Sequence, residues 1–203
     1  MDVKYHSINT SQRYISMPDA DVTLFPQWLQ PQQADQVQAR LQQTLAWQQD
    51  TIRLFGREVK IPRLQAWYGA AGIKYRYSGL DLVAKAWTPE LLELKDQVEA
   101  LTAARFNSVL VNWYRDGNDS MGWHSDDEPE LGNKPVIASL SLGADRRFQM
   151  RHKSVPASQE LTLGAGSLLV MRGETQRYWQ HQVPKQRRVQ QGRINLTFRY
   201  VQP

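Results

Sequence analysis

A histidine and an aspartate, His124 and Asp126, stand two residues apart, just after a glycine-rich turn. In an extended segment, side chains two residues apart leave the same face of the strand. A neutral imidazole and a carboxylate that converge in this way can bind a divalent metal. One more histidine would complete a set of two histidines and one carboxylate, which leaves three adjacent positions of an octahedral iron open.

The chain has four histidines, so two others besides His181 compete for the place of third ligand. His6 lies in an unpatterned N-terminal segment. His152 lies in the basic run Arg151–Lys153, where nearby positive charge disfavours a bound cation. His181 follows the apolar strand Ser167–Met171 in an aromatic-rich segment, and we therefore predict that it is the third ligand.

Two predicted strands carry polar faces that could bind a small dicarboxylate. Polar and apolar residues alternate strictly near the C-terminus, so one face holds Arg193, Asn195, Thr197 and Arg199. Two arginines on one face could clasp a five-carbon diacid. Asn112 and Tyr114 share a face of an earlier strand and could hydrogen-bond the same carboxylate. An edge strand with a solvated polar face would show the same alternation, so both interpretations stay open.

The composition restricts the class of protein. The 203 residues suit one domain, and the absence of cysteine excludes disulfides, thiolate metal ligands and cysteine nucleophiles. The sequence lacks an apolar run of about 18 residues, which a transmembrane helix needs. Its first residues lack the regions of a signal peptide. We therefore expect a protein without a membrane partner, in the cytoplasm of a bacterium or in the nucleus of a eukaryote. No feature of the sequence indicates a homo-oligomer, so a monomer is the default expectation.

The positive charge is clustered along the sequence. The net charge is +5, and the basic residues gather in two groups: Arg146, Arg147, Arg151 and Lys153, then Lys185, Arg187, Arg188 and Arg193. Basic clusters favour a polyanion such as nucleic acid. The net charge alone favours the simpler interpretation of a solvated basic surface.

The periodicity predicts an α+β protein: a double-stranded β-helix, or jelly roll, with N-terminal helices packed on it. Residues 31–45 and 89–104 have apolar spacings of three and four and a proline at the first position, which predicts two helices. From residue 108 the period becomes strand-like and glycines punctuate it. Residues 1–30 show little periodicity and are expected to wrap the domain.

The strand candidates of the C-terminal half share short length and turn residues at their ends: Ser108–Tyr114, Val136–Leu142, Arg147–His152, Leu161–Leu163, Ser167–Arg172, Tyr178–Val183 and Gly192–Val201. Before the second helix, Phe55-Gly56 is predicted to be a hairpin tip, and Tyr75 and Tyr77 share a strand face beside Arg76. The two tyrosines could stack a nucleobase. An ordinary aromatic pair, and a Phe55 folded into the core, fit the residues as well.

The order of these motifs resembles the AlkB family of non-haem iron(II), 2-oxoglutarate-dependent dioxygenases. The matching motifs span roughly residues 50–201: Asn112-x-Tyr114-x-x-Gly117, His124-x-Asp126, His181 and Arg193-x-Asn195-x-x-x-Arg199. The resemblance is closest to the animal homologue that repairs duplex DNA. It rests there on four segments: Ile61–Gly69, Tyr75–Gly79, His124–Glu128 and Phe148–Lys153.

The resemblance implies a cofactor, two co-substrates and a reaction. Fe(II) would be bound by His124, Asp126 and His181, and 2-oxoglutarate and molecular oxygen would be the co-substrates. The residues assigned to the 2-oxoglutarate pocket are Asn112, Tyr114, Arg193, Asn195, Thr197 and Arg199, with Arg199 nearer the metal. The reaction would turn 2-oxoglutarate into succinate and remove the methyl group of 1-methyladenine or 3-methylcytosine in DNA as formaldehyde.

The resemblance also implies DNA contacts. Phe55 stands where an aromatic finger enters the base stack, and the residues near the flipped base would be Tyr75, Tyr77, Asp127 and Glu128. The residues expected to contact phosphates are all basic: Arg147, Arg151, Lys153, Lys185, Arg187 and Arg188. Compared with that homologue, the loop between Lys153 and Glu160 is shorter and less basic. We therefore expect it to bind the undamaged strand less well. One structural domain would then have three parts: an extension and helix (1–50), a nucleotide-recognition lid and helix (51–104), and the jelly-roll catalytic core (105–203).

Three other functions compete with DNA dealkylation. An oxygenase with the same chemistry could act on RNA or on a protein side chain. A catalytically silent nucleic-acid-binding module would bind without forming succinate, and the complete metal triad argues against it. A zinc-dependent hydrolase on a similar barrel would need no oxygen, and no hydrolytic pocket is marked in the sequence.

Overall fold

The computed structural model describes residues 10–54, 57–77 and 80–202. Its centre is an eight-stranded sheet, the main sheet. In spatial order its strands are β1 (Arg13–Tyr14), β2 (Asp21–Phe25), β14 (Leu168–Arg172), β11 (Ile137–Gly143), β16 (Arg193–Arg199), β9 (Ser108–Tyr114), β5 (Leu64–Gly69) and β8 (Lys85–Ala86). Neighbours are antiparallel except for β5 and β8, which are parallel.

A second, four-stranded sheet, the minor sheet, faces the main sheet. Its spatial order is β10 (Met121–His124), β15 (Trp179–Val183), β12 (Arg146–His152) and β13 (Ser158–Leu163). A hydrophobic cluster joins residues of both sheets, among them Leu110 and Met171 of the main sheet and Phe148 and Met150 of the minor sheet. Two facing antiparallel sheets that share a core form a jelly roll, so the predicted fold class is confirmed.

Two further hairpins precede the second helix. One pairs β3 (Thr51–Leu54) with β4 (Arg57–Lys60), and the other pairs β6 (Lys74–Tyr77) with β7 (Leu80–Val83). Each forms a two-stranded sheet separate from the main and minor sheets. The predicted tip at Phe55-Gly56 lies outside the described residues.

Two helices cover the other face of the main sheet. Helix α1 (Pro31–Thr44) buries the stripe Ala34, Val37 and Leu41, and helix α2 (Pro89–Thr102) buries Leu91, Leu94 and Val98. The sequence predicts both helices correctly, because a proline opens each one and the apolar spacing is regular. The Thr88 hydroxyl accepts a hydrogen bond from the Leu91 amide and caps α2, and Ala103 ends it in the left-handed region at φ 53°. A third helix, α3 (Thr175–Tyr178), has one turn.

The structure corrects two expectations about the sheets. Residues 21–25 do not merely wrap the domain, because β2 pairs with β14 inside the main sheet. Four of its five residues are buried, so no alternation of polar and apolar residues marks it. Strand β16 is not an edge strand, because it lies between β11 and β9 and all seven of its residues are buried. Its polar face therefore points into the space between the two sheets.

Among the described residues, no helix is long and apolar enough to cross a membrane.

Candidate metal and co-substrate site

The three predicted metal ligands lie together at one end of the space between the sheets. His124 ends β10 and His181 lies in β15, and the antiparallel register places these two residues opposite each other. Asp126 follows β10 by two residues. The candidate ligand atoms of the three side chains lie within 4.8 Å of one another, and no other such group of histidine, aspartate and glutamate occurs in the described part of the chain.

Both imidazoles are held in place by their neighbours. Nδ1 of His124 lies 2.9 Å from the Gly122 carbonyl oxygen. Since a carbonyl only accepts, Nδ1 carries the proton and Nε2 keeps its lone pair for a metal. The His181 ring stacks on Phe148 at 5.2 Å and meets the edge of His124 at 4.3 Å between centroids. Packing thus fixes the orientation of His181, whose buried Nδ1 has no hydrogen-bond partner among the described residues.

The two oxygens of the Asp126 carboxylate differ in whether they accept a hydrogen bond. Oδ1 accepts a hydrogen bond from Nη2 of Arg199 at 2.5 Å. The Asp126 amide donates to Oε1 of Gln176 at 2.9 Å, which fixes the backbone. Oδ2 is buried, lacks a hydrogen-bond partner among the described residues and lies 3.8 Å from Nε2 of His181. A buried carboxylate oxygen with two imidazole nitrogens nearby fits a divalent cation, because the cation would satisfy all three.

The electrostatics of the site keep the ligands in their metal-binding forms. Burial, reinforced by the proximity of His124, lowers the pKa of His181 to about 3. Burial also lowers the pKa of His124, against the opposing effect of Asp126. For Asp126, burial favours the neutral acid, but the charge of Arg199, which also donates a hydrogen bond, outweighs burial and lowers the pKa. At neutral pH the site therefore offers two neutral imidazoles and one carboxylate.

A cavity between the sheets extends from the metal ligands along the polar faces of three strands. It is lined by polar residues of β9, β11 and β16 and by the metal ligands themselves: Asn112, Tyr114, Ser139, Arg193, Asn195, Thr197, Arg199, His124, Asp126 and His181. All six residues assigned to 2-oxoglutarate from the sequence lie in this set. The register places Asn195 beside Asn112, and Arg193 beside Tyr114.

Arg193 is a buried cation that lacks a carboxylate partner among the described residues. Nη2 donates to the Ser141 hydroxyl at 2.8 Å, while Nε and Nη1 are buried without a hydrogen bond of good geometry in the described part of the chain. Burial lowers its pKa to about 10, opposed by the Tyr114 phenol, so the guanidinium remains charged at neutral pH. A buried charge with two poorly paired nitrogen donors is costly unless an anion pairs with it.

The two arginines of β16 have different partners. The sequence suggested that both could clasp one diacid, but Arg199 is already bound to Asp126 beside the metal ligands. Arg193 lies six residues away on the same face, which is about 20 Å along a strand. This distance separates a metal end of the cavity from an anion-binding end.

Asn112 is oriented by Arg63, a residue that the sequence interpretation missed. Arg63 is buried, and its Nε donates to Oδ1 of Asn112 at 2.8 Å. Because the amide oxygen is thus occupied, the Asn112 amide nitrogen is the group free to donate into the cavity. No sequence spacing links two residues 49 positions apart. A basic residue directly after Pro62, at the start of a buried strand, was the available signal.

Asn195 and Thr197 satisfy each other within the protein. The Thr197 hydroxyl donates to Oδ1 of Asn195 at 2.9 Å, and Nδ2 of Asn195 donates to the Ser139 hydroxyl and the Leu140 carbonyl. Both line the cavity, but their strongest polar groups are already paired. We therefore infer that they shape the pocket wall rather than bind the anion.

Arg146 is buried and supports the anion-binding end. The sequence placed it in a surface cluster, but its guanidinium donates to the carbonyls of Asp116, Asp119 and Pro184. Its guanidinium carbon lies 5.5 Å from the centroid of the Tyr114 ring, and that of Arg193 lies 5.2 Å away. Arg146, Phe148 and Met150 are spaced two residues apart and therefore share one face of the strand. The two apolar residues were the signal that Arg146 faces inward.

The basic residues predicted to contact phosphates fall into two groups. Arg151 and Lys153 are exposed near the metal end, where Nζ of Lys153 binds Oδ2 of Asp127 at 3.0 Å. The other group lies around the loop after β15: Arg147, Lys185, Arg187 and Arg188. Arg147 belongs to it because its amide donates to Oε1 of Gln186. The structure does not bring all six together.

The residues predicted to contact the base are described in part. Asp127 is exposed and lines a surface pocket next to the metal ligands rather than the cavity itself. Glu128 is half-buried directly after it. Tyr75 and Tyr77 lie in β6, and nothing is described of their side chains. Phe55 lies outside the described residues.

The comparisons with known proteins agree with this geometry. A family model described as the 2OG-Fe(II) oxygenase superfamily matches residues 21–199. The chain is 44% identical over 195 residues to the alpha-ketoglutarate-dependent dioxygenase alkB homolog 3 of Rattus norvegicus, and the alignment covers 90% of this chain and 64% of that protein. It is 44% identical over 160 residues to the DNA oxidative demethylase ALKBH2 of Mus musculus, covering 75% of this chain and 67% of that protein.

A solved structure supports the fold. The structure of OsALKBH1 superposes with a TM-score of 0.66 at 18% identity and covers 94% of this chain and all of that chain. This chain spans 64% of the length of the rat relative. From the family model and the two homologues, this chain belongs to the 2OG-Fe(II) oxygenase superfamily and, within it, to the AlkB homologues.

Proposed function

We propose that this protein is an Fe(II)- and 2-oxoglutarate-dependent dioxygenase that removes methyl groups from alkylated bases in DNA. The observation that carries the proposal is Arg193: a buried guanidinium with two poorly paired nitrogen donors in the same cavity as the metal triad. A dicarboxylate that reaches from this arginine to a metal at His124, Asp126 and His181 would neutralise both ends of the cavity.

The residues of the cavity divide the work of binding. His124, Asp126 and His181 hold the metal, and Arg199 keeps the Asp126 carboxylate ionised and oriented. Arg193 pairs with the distal carboxylate of 2-oxoglutarate, while the Asn112 amide nitrogen and the Tyr114 phenol donate further hydrogen bonds. Arg63 and Arg146 position Asn112 and Tyr114 respectively.

When bound, iron and 2-oxoglutarate supply the oxidising power: dioxygen is consumed, 2-oxoglutarate leaves as succinate and carbon dioxide, and a methyl group is hydroxylated. The protein contributes position and exclusion of water. The walls beside the triad are apolar, formed by Met121, Phe148, Met171 and Val183. These side chains limit access of water to the reacting centre. The hydroxymethyl group on a ring nitrogen then leaves as formaldehyde.

The substrates proposed are 1-methyladenine and 3-methylcytosine in DNA. Methylation at a pairing nitrogen weakens the base pair and lowers the cost of flipping the base. It also gives the base a positive charge, which the acidic pair Asp127 and Glu128 beside the triad would favour. The name of the mouse relative, DNA oxidative demethylase, supports DNA as the substrate, and the basic surface near Arg151 and Lys153 suits its phosphates.

The division into three parts is also a proposal. The hairpins β3–β4 and β6–β7, both within residues 51–104, are separate from the main and minor sheets. Such hairpins can move without breaking the jelly roll, which suits a nucleotide-recognition lid. Phe55, Tyr75 and Tyr77 would then act from this lid on the base stack and on the flipped base.

The test is anaerobic reconstitution with Fe(II) and 2-oxoglutarate, followed by oxygen and an oligonucleotide that contains 1-methyladenine or 3-methylcytosine. Succinate and the loss of one methyl group are followed by mass. We expect methyl loss that requires all three additions, and none with Asp126→Ala. A matched control is Asp35→Ala, an exposed carboxylate on α1 that should leave turnover unchanged.

The outcomes separate the competing functions. Succinate without methyl loss on single-stranded or duplex DNA would retain the oxygenase and move the substrate to RNA or protein. Binding of DNA with neither product would favour a silent binding module. Activity that depends on zinc and not on oxygen would indicate a hydrolase.

A further inference from the structure

The outer face of the minor sheet carries a guanidinium stacked on an indole. The guanidinium carbon of Arg151 lies 4.3 Å from the centroid of the Trp123 ring. Both Nε and Nη2 of Arg151 donate to Oε1 of Gln180, at 3.1 and 2.9 Å. Together Trp123, Arg151 and Gln180 form what we call the stacking platform. The glutamine holds the guanidinium plane in one orientation, which an isolated surface arginine would not keep.

The strand order explains why the three side chains meet. Spatially, β10, β15 and β12 are consecutive, and Arg151 is the register partner of Gln180. His181 and Met150, next to Gln180 and Arg151 in sequence, are buried on the opposite face. The stacking platform therefore lies on the outer face of the minor sheet. It is close to the metal end, because Trp123 directly precedes the ligand His124.

The charge of Arg151 is not neutralised within the described structure. Among the described residues it has no carboxylate within salt-bridge distance, and its hydrogen bonds go to a neutral amide. Lys153, by contrast, is paired with Asp127. Arg151 is exposed and Trp123 is half-buried, so the free side of the guanidinium plane faces solvent. A flat, charged and accessible surface of this kind suits the face of an unpaired nucleobase.

We propose that the stacking platform binds an unpaired base of single-stranded nucleic acid next to the nucleotide that occupies the active site. This inference rests on the proposed function for the identity of the nucleic acid. Stacking on an aromatic or guanidinium plane stabilises a bound base and tolerates any sequence, because every base has a π face. A paired neighbour keeps its stack within the duplex, so the platform favours strands whose neighbouring base is free.

The experiment measures binding, which does not require turnover. A fluorescent single-stranded heptamer with a central 3-methylcytosine is titrated with the full chain by anisotropy at several salt concentrations. Trp123→Leu and Arg151→Lys are compared with the matched control Arg105→Lys, an exposed arginine after helix α2 to which no binding role is assigned. Both platform variants should weaken binding about tenfold. The salt dependence of the affinity should not change, because Trp123→Leu removes no charge and Arg151→Lys keeps its positive charge.

Abasic oligonucleotides then identify the interaction. The heptamer is remade with an abasic nucleotide on the 5′ or the 3′ side of the methylated base. On one of these two strands, Trp123→Leu and Arg151→Lys should no longer weaken binding, because the stacked base is already missing. An equal loss on normal and both abasic strands, or an equal loss for Arg105→Lys, would overturn the proposal. Thermal melting of each variant separates these results from misfolding.

The platform and the proposed function can fail separately. If the wild-type protein binds the heptamer as described but never releases formaldehyde, the platform stands and dealkylation fails. If it dealkylates the heptamer and the platform variants bind it like the wild type, dealkylation stands and the platform fails.

Discussion

Arg199 donates from Nη2 to Oδ1 of Asp126 at 2.5 Å, and both side chains are almost completely buried. One oxygen of the carboxylate is thereby committed, and Oδ2 is turned towards His181. Arginine cannot ligate a metal, so its contribution is to set which oxygen meets the cation and to keep that oxygen ionised. The metal end and the co-substrate end of the cavity are thus linked through one strand, β16.

Arg199→Met should weaken metal binding more than it changes the shape of the site. Methionine fills much of the same volume, but Asp126 then loses the main positive charge that keeps its pKa low. We expect a loss of about 10–100-fold in Co(II) affinity at neutral pH, the range found for residues that support metal ligands. The affinity should recover in part as the pH rises, because the carboxyl ionises again. Co(II) absorption titrations at several pH values measure this.

Arg199→Lys is the informative companion to that variant, because it keeps the charge and loses the planar fork. It should fall between the wild type and Arg199→Met. Arg187→Met removes an exposed arginine and should change nothing in Co(II) binding. Equal Co(II) affinity in the wild type and Arg199→Met would show that the buried pair does not govern the metal site.

Arg193→Met should raise the KM for 2-oxoglutarate and abolish the preference for its distal carboxylate. Losing a charge-assisted contact of about 3 kcal/mol corresponds to roughly 100-fold. The variant should discriminate little between 2-oxoglutarate and 2-oxopentanoate, a keto acid that lacks the second carboxylate, whereas the wild type should prefer 2-oxoglutarate strongly. The KM for both keto acids is measured with the same methylated oligonucleotide. A wild-type preference that survives in Arg193→Met would place the carboxylate elsewhere.

Arg63 and Asn112 should act as one unit. Arg63→Met frees the Asn112 amide to rotate, so we expect a roughly 3–10-fold rise in the KM for 2-oxoglutarate with little change in kcat, in keeping with the weakening of one hydrogen bond by about 1 kcal/mol. Asn112→Ala should cost a similar amount. Since the arginine acts through the amide, the double variant should cost scarcely more than either single variant. Additive losses would mean that Arg63 contributes by a separate route.

Much of the fold could be predicted from the sequence, because the local residue preferences agree with the place of each element in the fold. Helix α2 combines a threonine cap, an opening proline and a regular apolar stripe, and it forms as predicted. The alternation of Arg193–Arg199 predicted a strand with a polar face. The alternation did not indicate whether the polar face was exposed to solvent or buried, because its burial depends on the neighbouring strands β11 and β9.

The supporting residues of the site were harder to read, since their roles arise from contacts between distant segments. Gln176 accepts from the Asp126 amide across 50 positions, and Arg63 reaches Asn112 across 49. His152 was rejected as a metal ligand because its sequence neighbours are positively charged. In the structure it is buried, its Nε2 lies 3.3 Å from Oδ2 of Asp19, and its Nδ1 accepts from the amides of the following turn.

The turn after β9 should show a defined pH dependence through Asp119. Its carboxylate accepts from the Arg115 amide, Nε and Nη2 at 2.9, 2.7 and 2.9 Å, and its carbonyl accepts from Arg146. Burial opposes ionisation, but the contacts from Arg115 outweigh it and lower the pKa of Asp119. For a carboxyl with a lowered pKa, the stabilisation is complete above the ordinary value near 3.8 and is lost as the pH falls through the folded-state pKa.

Asp119→Asn should therefore destabilise the protein at pH 7 by about 2 kcal/mol, the scale of hydrogen bonds to a charged group, with a discount because Arg115 is partly exposed. The difference from the wild type should shrink below about pH 4, where the Asp119 carboxyl of the unfolded chain begins to take up a proton that the folded chain still excludes. Urea unfolding at pH 7, 5, 4 and 3 measures it, with Asp35→Asn as an exposed control. A difference that stays constant over this range would assign the effect to the shape of the turn. Because Arg146 links this turn to Tyr114, the same variant should also raise the KM for 2-oxoglutarate while it remains folded.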